Sequence, residues 1–341
     1  MPETRALLEG IAVHLPDRYV PAVEIEGLVN RSSPGFRPPP GLISQLTGVK
    51  GVHVLDADQQ ASDLAAAAAS QVLDETGTGP EDIDLLIFAS SSQDMIEPAT
   101  GHIVSAKLGL RCPVFDLKNA CNSILNAIEV TQALITSSQY SRVLVVTGEA
   151  PSRSVRWSVP DAASFARSFA SYGFSDAGGA VLWTSAATSS VGQRGVLATE
   201  FAARSDVWEC ATIPTGGTVH PRGADEHAYF SMNGTAMREA FRGLGSHRWK
   251  ALEALGLTWA DFDFVALHQV AVADVEEVCE RLGLAREQVL VTVADHGNVA
   301  SASLLLQLAK ASSSGRIKAG DLVALIGLAA GASAGLGVVR L

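Results

Sequence analysis

The sequence predicts an α/β protein assembled from two copies of one α/β unit. Two observations support this prediction: short apolar runs typical of buried strands alternate with helical patterns, and the same order of segments occurs twice along the 341 residues. A chain of this length exceeds a typical single domain, so either two domains or one body of two fused halves is expected. We place the N-terminal half at residues 1–185 and the C-terminal half at residues 186–341.

The segments of each copy follow one order: strand, helix, strand, helix, strand. They are IDLLIFASS, GHIVSAKLGL, CPVFDL, CNSILNAIEVTQALITS and SRVLVVTG, then FDFVALHQ, VADVEEVCERLGL, QVLVTV, ASASLLLQLAKASSSG and DLVALIGLAAG. Alignment pairs Cys121 with Asn298 and Val143 with Val323, an offset of about 175 to 180 positions. Both long helices are apolar nearly all round, so we expect helices between two sheets as well as outside them.

Composition and charge exclude several kinds of partner. The balance of 25 basic and 36 acidic residues gives a net charge of −11, which disfavours binding to nucleic acid or to an anionic membrane. The start, MPETRALLEG, lacks the features of a secretory signal, so a cytoplasmic protein is expected. Residues 322–339 form the longest apolar run, but its Gly, Ala and Ser residues predict two strands around a loop rather than a membrane span. The cysteines show no metal-binding or disulfide spacing: Cys112, Cys121, Cys210 and Cys279.

Three polar residues occupy related points of the two copies. Cys121 begins the long helix of the first copy, Asn298 begins its match in the second, and His268 ends the second copy's first strand. Chemistry in layered α/β proteins gathers where strand ends meet helix N-termini. A thiol there, favoured as thiolate by the helix dipole, can attack a thioester, while imidazole and amide groups move protons and hold oxyanions. Two structural alternatives remain open: a core cysteine and a helix-capping turn in DHGN.

The motifs together resemble the ketosynthase III branch of the thiolase superfamily, the condensing enzymes typified by β-ketoacyl-acyl-carrier-protein synthase III. The matching stretches are NAC, ALHQ, DHGNVASAS, FSDAGGAVL and RIKAGDLVALIGLAAGASAG. The resemblance implies a five-layered αβαβα thiolase-like fold, a homodimer, and no cofactor beyond the phosphopantetheine or coenzyme A that carries each acyl group. It implies acylation of Cys121 and an enolate held by His268 and Asn298. The N–H of Cys121 and the loop at Ala330 and Gly331 would form the oxyanion hole.

The residues expected to bind coenzyme A depart from this family. Where housekeeping members carry a Trp and an Arg, this chain has Leu42 and Leu46, and Ala271 and Ala273 replace an Asn and another phosphate-binding Arg. Of those contacts only Arg153 remains. Because charged contacts to phosphates are lost, we expect free coenzyme A to be a poor donor and acyl groups to arrive on an acyl carrier protein.

A basic cluster offers a candidate surface for that carrier. It includes Arg238 and Arg242, which lie on a predicted helix. An acidic carrier protein fits such a surface, although charges of this kind are more often a solvated helix face. Both interpretations remain open from the sequence.

Glu97 is the second departure from the housekeeping pattern. Those enzymes place an apolar aromatic before the equivalent proline, on a loop that reaches into the partner subunit. The relatives that join two complete acyl chains, in olefin and pyrone synthesis, have a similar EPxT stretch that supplies a carboxylate there. A carboxylate in an apolar tunnel has a raised pKa, which suits a general base. The alternative is an exposed loop glutamate.

The leading functional prediction is a ketosynthase III-like condensing enzyme. It would form a carbon–carbon bond between acyl thioesters through acyl-Cys121, in polyketide or fatty-acid-derived metabolism. One alternative is decarboxylative extension with malonyl-carrier protein, as in fatty-acid initiation. Another, from a different class, is acyl transfer from Cys121 to a hydroxyl or amine; related transferases often lose the asparagine, so the presence of Asn298 argues against it.

Overall fold

The computed structural model describes residues 4–191, 194–244 and 248–341. The strands are β1 (Thr4–His14), β2 (Tyr19–Pro21), β3 (Gly51–His53), β4 (Leu85–Ala89), β5 (Val114–Leu117), β6 (Arg142–Glu149), β7 (Ala177–Ala187), β8 (Gly195–Ala203), β9 (Ala211–Thr212), β10 (Ser231–Met232), β11 (Phe264–Leu267), β12 (Leu322–Ala329) and β13 (Ser333–Arg340). The helices are α1 (Ala22–Ser32), α2 (Leu42–Thr47), α3 (Ala61–Thr76), α4 (Thr100–Leu108), α5 (Ser123–Thr136), α6 (Ala162–Ser168), α7 (Thr188–Val191), α8 (Gly234–Leu244), α9 (Lys250–Leu255), α10 (Val272–Leu282), α11 (Val293–His296) and α12 (Ser303–Ser313).

Two sheets of matching topology form the framework. The first has the order β1-β7-β6-β4-β5 and the second the order β8-β13-β12-β11. Four strands of the first sheet, β1-β7-β6-β4, match the four strands of the second, β8-β13-β12-β11. In each set the last two strands are parallel, β6 with β4 and β12 with β11, and the other neighbours are antiparallel. The two halves therefore repeat one strand arrangement, which confirms the predicted duplicated α/β fold.

The helices lie in three layers around these sheets. Side chains of α5 and α12 share one core cluster with both sheets, so these two helices lie between them. Helices α3 and α4 cover the outer face of the first sheet, and α9 and α10 cover that of the second. This is the predicted αβαβα layering. It follows from the apolar character of α5 and α12, which have little polar surface to expose.

Matching hydrogen bonds give the offset between the halves. The Asp84 N–H donates to the Arg142 carbonyl at 2.9 Å while its carboxylate accepts the Arg142 N–H at 2.8 Å. Asp263 makes the same pair of bonds to Leu322, at 2.9 and 2.8 Å. Asp84 and Asp263 are 179 positions apart along the chain, and Arg142 and Leu322 are 180 apart. The register is therefore set by backbone pairing at the strand starts.

One predicted equivalence between the halves is wrong. Helices α5 and α12 begin 180 positions apart, at Ser123 and Ser303. The counterpart of Cys121 is therefore Ser301 and not Asn298, which lies five residues before α12. The reason is local: a short 3₁₀ turn, Ala300–Ala302, comes between Asn298 and the helix.

The predicted strand QVLVTV is also absent from the second sheet. The side chain of Gln269 takes its place as a partner, because Oε1 accepts the N–H groups of Thr292 and Val293, and Nε2 donates to the Leu290 carbonyl. Backbone groups satisfied by a side chain need no neighbouring strand. The second sheet therefore has four strands where the first has five.

The predicted boundary between the halves, at residues 185 and 186, falls within β7. A division by sheets lies a few residues later, between β7 and β8.

Among the described residues, no helix combines the length and apolar composition that crossing a bilayer requires.

Candidate active site

Cys121 lies in a tight turn between β5 and α5, two residues before the helix begins. Ala120 before it has a φ of 46°, in the left-handed region that costs a non-glycine residue on the order of 1 kcal/mol. Ser123 stabilises this turn, because its Oγ donates to the Ala120 carbonyl at 2.7 Å and accepts the N–H of Asn119 at 2.9 Å. The turn thus holds Cys121 at the N-terminal end of α5.

Asn122 connects this turn to the loop between β12 and β13. Its buried Nδ2 donates to the Oγ of Ser333 at 2.9 Å and to the Ser333 carbonyl at 3.3 Å. Gly327 allows this approach, since an added Cβ there would lie 1.9 Å from Asn122 Oδ1. The loop carries Ala330 and Gly331, so one side chain joins the two segments predicted to form the oxyanion hole. Their role in holding an oxyanion stays a prediction.

His268 directly follows β11 and is 7% exposed. Its Nδ1 lies 3.2 Å from the Oγ of Ser303, and the ring also hydrogen-bonds to the backbone of Ala300. Burial lowers the pKa of His268 to about 4. The imidazole is therefore neutral at pH 7 and able to accept a proton.

Asn298 is held between two backbone segments. Its N–H donates to the Gly173 carbonyl at 2.7 Å, and its carbonyl accepts the Ser175 N–H at 3.0 Å. The side-chain Oδ1 accepts the N–H of Ala300 at 2.9 Å. This bond closes a local turn just before the 3₁₀ segment, so Asn298 does not cap α12. Because Ala300 also contacts His268, the structure brings the predicted imidazole and amide together through one residue.

The electrostatics of Cys121 differ from the sequence prediction. A helix N-terminus favours a thiolate by about 0.3–1 kcal/mol at exposed sites, less than one pKa unit. Burial, and then the negative charge of Glu149, act in the other direction and raise the pKa of the Cys121 thiol to about 12. The predicted thiolate is therefore wrong for the resting protein, in which both Cys121 and His268 are neutral at pH 7.

Sequence analysis missed a fully buried polar cluster beside Cys121. Glu149 ends β6, and it bonds to Ser301 in the turn that precedes α12. The Ser301 Oγ also lies 2.7 Å from the Oγ1 of Thr147. The available signal was the ending of a buried strand in Thr-Gly-Glu, because an apolar run that closes on charged and hydroxyl groups brings them to the edge where the chemistry lies.

Comparisons with known proteins agree with this geometry. Residues 115–204 match the family described as 3-Oxoacyl-[acyl-carrier-protein (ACP)] synthase III, and residues 252–341 match its C-terminal family. The β-ketoacyl-[acyl-carrier-protein] synthase III of Cereibacter sphaeroides is 33% identical over 341 residues, covering 98% of this chain and 99% of the relative. The chain belongs to the β-ketoacyl-[acyl-carrier-protein] synthase III family. It is a ketosynthase III-type condensing enzyme, as predicted.

Solved structures show the same fold. Cerulenin-bound OleA of Xanthomonas campestris is 23% identical with a TM-score of 0.88, covering 100% of this chain and 98% of that one. The 3-oxoacyl-(acyl carrier protein) synthase III, FabH, of Xanthomonas oryzae pv. oryzae is 24% identical with a TM-score of 0.87, covering all of both chains. Both likenesses confirm the thiolase-like architecture of this synthase III relative.

Glu97 lies away from the buried cluster, at the exposed tip of the loop between β4 and α4. The ends of this loop are anchored: Ser91 bonds to Glu149, and the Asp94 carboxylate accepts the N–H and Oγ of Ser62. At the tip, Ile96 is 62% exposed. Within one subunit the loop therefore presents Glu97 and apolar side chains outward, and a catalytic role for Glu97 stays a prediction.

Arg153, the remaining predicted donor contact, holds a loop of its own chain. Its Nη2 donates to the carbonyls of Asp56, Ala57 and Gln59 at 3.1–3.3 Å. Leu46 on α2 is 57% exposed. The exposed side chains of α2 are Ser44, Gln45 and Leu46, none of them basic, and Arg153 is already engaged with backbone oxygens.

The predicted basic surface on α8 faces acidic residues of α10. The Nε of Arg242 lies 3.6 Å from Glu277, and Arg238 acts electrostatically on Asp274. These contacts offset part of the positive charge. A role of Arg238 and Arg242 in receiving a carrier protein stays a prediction, and the described residues hold no group of three potential metal ligands.

Proposed function

We propose that this condensing enzyme joins two acyl chains, both presented as phosphopantetheine thioesters on acyl carrier proteins. Cys121 is the nucleophile, His268 and Asn298 hold the enolate, and Glu97 of one subunit is the base in its partner's site. The observation that carries the proposal is the junction at Ala300, which binds Asn298 through its N–H and His268 through its backbone. A neutral imidazole and an oriented amide are the groups an enolate needs.

The first step is acylation of the resting thiol. The pKa of Cys121 is about 12 and that of His268 about 4, so the ion pair is unfavourable before substrate binds. As sulfur attacks the thioester carbonyl, the thiol proton passes to His268, and the departing carrier thiolate takes it back. The new bond is sulfur to acyl carbon, and the broken bond is the donor's thioester. N–H groups at Cys121 and Ala330 hold the oxyanion.

The second step forms the carbon–carbon bond. The carboxylate of Glu97 removes a proton from the α-carbon of the second acyl thioester, and His268 and Asn298 donate hydrogen bonds to the enolate oxygen. The enolate carbon attacks the acyl carbon on Cys121 and the acyl–sulfur bond breaks. The departing sulfur takes up the proton that Glu97 removed, which restores both groups. The product is a β-ketothioester with no loss of carbon dioxide.

We infer a homodimer, and the surface around β5 supports it. This strand is at the edge of the first sheet, and Phe115 on it is 37% exposed. The Asp116 carboxylate accepts the N–H groups of Thr100 and Gly101, which ties β5 to the start of α4 directly after the Glu97 loop. An open edge, an exposed aromatic and an apolar loop tip thus form one surface, which suits pairing with a second copy. We infer that Glu97 crosses into the partner through this interface.

The mouth of the site supports a carrier-protein donor. Gly48, directly after α2, packs against Val272 at the start of α10, since an added Cβ would lie 2.5 Å from the valine Cγ2. Leu46, which is exposed, lies on α2 two residues before Gly48. The exposed Leu46 offers no charged partner for the phosphates of free coenzyme A, whereas a carrier protein supplies binding through its own surface.

The test uses dimers with two different subunits. Cys121→Ala and Glu97→Gln subunits carry different tags, and the mixed dimer is assayed by mass spectrometry with paired acyl-carrier substrates. Action across the interface leaves one intact site, so we expect about half of the wild-type rate from the mixed dimer and almost none from either homodimer. Exposed Glu81→Gln is the matched control.

Three other outcomes would contradict parts of the proposal. Full condensation by the Glu97→Gln homodimer removes Glu97 as the base and favours decarboxylative malonyl extension. An inactive mixed dimer places Glu97 in its own subunit's site. A product acylated on oxygen or nitrogen selects a transferase.

A further inference from the structure

Glu149 is fully buried at the end of β6, a rare position for a carboxylate. One oxygen accepts the Ser91 N–H at 2.9 Å, and the other accepts the Ser92 N–H at 3.2 Å and the Ser92 Oγ at 3.0 Å. The hydroxyls of Ser91 and Ser301 donate as well. Longer bonds from the Ser301 N–H at 3.4 Å and the Thr147 hydroxyl at 3.5 Å bring the donors to seven. Seven donors on one carboxylate satisfy a buried charge and make it a rigid connection.

These donors come from two separate parts of the site. Ser91 and Ser92 begin the loop that leads to Glu97. Ser301 belongs to the 3₁₀ turn whose first residue, Ala300, contacts both His268 and Asn298. The carboxylate therefore lies between the loop and the turn, and it is also the charged group that acts on Cys121.

We propose that Glu149 is a positioning residue that holds the turn carrying Asn298 and the loop carrying Glu97 in register with Cys121. The inference rests on the proposed roles of Cys121, His268 and Asn298. All the described partners of Glu149 are protein donors, which is what a positioning role requires. Its charge also acts on the Cys121 thiol: after burial, it is the second cause of the raised pKa of that group.

The duplication supports a structural role for this pair. Ser301 is the counterpart of Cys121, and at the same offset of 180 positions Ala329 is the counterpart of Glu149. The Ser301 hydroxyl is thus bound by a carboxylate, Glu149, whereas the residue in the equivalent position relative to Cys121 is the apolar Ala329. The Ser301 copy of the junction is held by hydrogen bonds to a carboxylate, and the Cys121 copy has no carboxylate at that position.

Three variants separate geometry from charge. Glu149→Gln removes the charge and turns an amide NH₂ toward donors, and Glu149→Asp keeps the charge but shortens the reach. Ser301→Ala removes the hydroxyl that bonds to Glu149, Thr147 and the Ala89 carbonyl, and it leaves the carboxylate itself in place. Glu26→Gln is the matched control, because Glu26 is also buried and accepts two backbone N–H groups, those of Gly41 and Ile43. It belongs to a different cluster.

Two measurements are made on each dimer: the rate at which iodoacetamide alkylates Cys121 at pH 8, followed by peptide mass spectrometry, and the rate of condensation. We expect several-fold faster alkylation in Glu149→Gln only. We expect condensation to fall about 10- to 100-fold in all three variants, since small displacements of catalytic groups cost this much. The Ser301→Ala, Glu149→Asp double variant should lose little more than the worse single variant.

Wild-type condensation in both Glu149→Asp and Ser301→Ala would overturn the positioning role, and these two variants decide the matter if Glu149→Gln does not fold. Faster alkylation in Glu149→Asp as well would mean that loosened packing and not charge controls the thiol. The proposed function fails differently: the wild type would then show no acyl adduct on Cys121 at all.

Discussion

The turns before α5 and α12 have the same backbone and different chemistry. In both, an alanine with positive φ precedes the residue of interest, Ala120 at 46° and Ala300 at 47°. In both, a serine begins the following helix. The residue directly after the alanine is Cys121 in one half and Ser301 in the other. A duplicated backbone therefore presents two side chains in equivalent positions, and only one of them, Cys121, is the proposed nucleophile.

The strands beside the two turns account for the difference. Next to Ser301, β6 supplies Thr147 and Glu149, and both bond to the serine hydroxyl. At the equivalent positions in β12 the chain has Gly327 and Ala329. Cys121 therefore faces a strand without polar side chains at those two positions. The reactivity of the side chain in this turn therefore depends on whether the neighbouring strand supplies polar partners, as well as on the side chain itself.

The largest expected effect is the loss of the thiol. Cys121→Ala should abolish the acyl adduct and lower condensation by on the order of 10⁴-fold or more, because covalent catalysis has no substitute group. Ser301→Ala should still form the adduct, since the counterpart residue is structural. Intact-protein mass spectrometry after exposure to acyl-carrier substrate distinguishes the two. An adduct on Cys121→Ala would break the comparison.

Next come the groups that hold the enolate. Asn298→Ala should lower condensation by about 10²–10⁴-fold while acyl-Cys121 still accumulates, because the amide acts only in the second step. His268→Ala should slow both steps, since it also receives the thiol proton. Rapid-quench measurement of adduct and product separates the steps. Equal loss of adduct in Asn298→Ala would show that the amide also assists acylation.

The pH dependence of stability gives an intermediate effect. The pKa of folded His268 is about 4, below the usual value of 6.5, so the unfolded chain binds its proton first as pH falls. Stability from this residue is full above pH 6.5 and is lost progressively toward pH 4, by about 3 kcal/mol. Urea unfolding at a series of pH values should show this slope, and His268→Gln should flatten it. An unchanged slope would mean that another group controls acid unfolding.

The smallest effect tests the strand beside Cys121. Gly327→Ala places a Cβ 1.9 Å from Asn122 Oδ1, which forces the amide away from Ser333. We expect a loss of about 1–3 kcal/mol, the usual cost of overpacking. Gly217→Ala is the control, because an added Cβ there meets nothing within 4 Å. Thermal melts of both variants measure the difference, and similar melting temperatures would count against the tight approach at Gly327.

Local patterns in the sequence were sufficient for the elements. The strands and helices of both copies follow from the apolar runs, the one exception being QVLVTV. There the bonds of Gln269 take the place of a strand partner, and a partner 20 or more residues away leaves no local signal. Element ends also led to the choice of Cys121, His268 and Asn298 as candidates. The structure joins His268 and Asn298 through Ala300 and places Cys121 two residues before α5, and the catalytic roles of all three stay predictions.

The tertiary structure alone decided the equivalence of Cys121 with Ser301, the cluster around Glu149, and the ionisation state of the thiol. The Glu149–Ser301 contact joins residues 152 positions apart, and the Asn122–Ser333 contact joins residues 211 apart. Periodicity reports which face of an element is buried, and that is a local property. The partner that meets this face, and the charge it brings, depends on how two distant halves pack together.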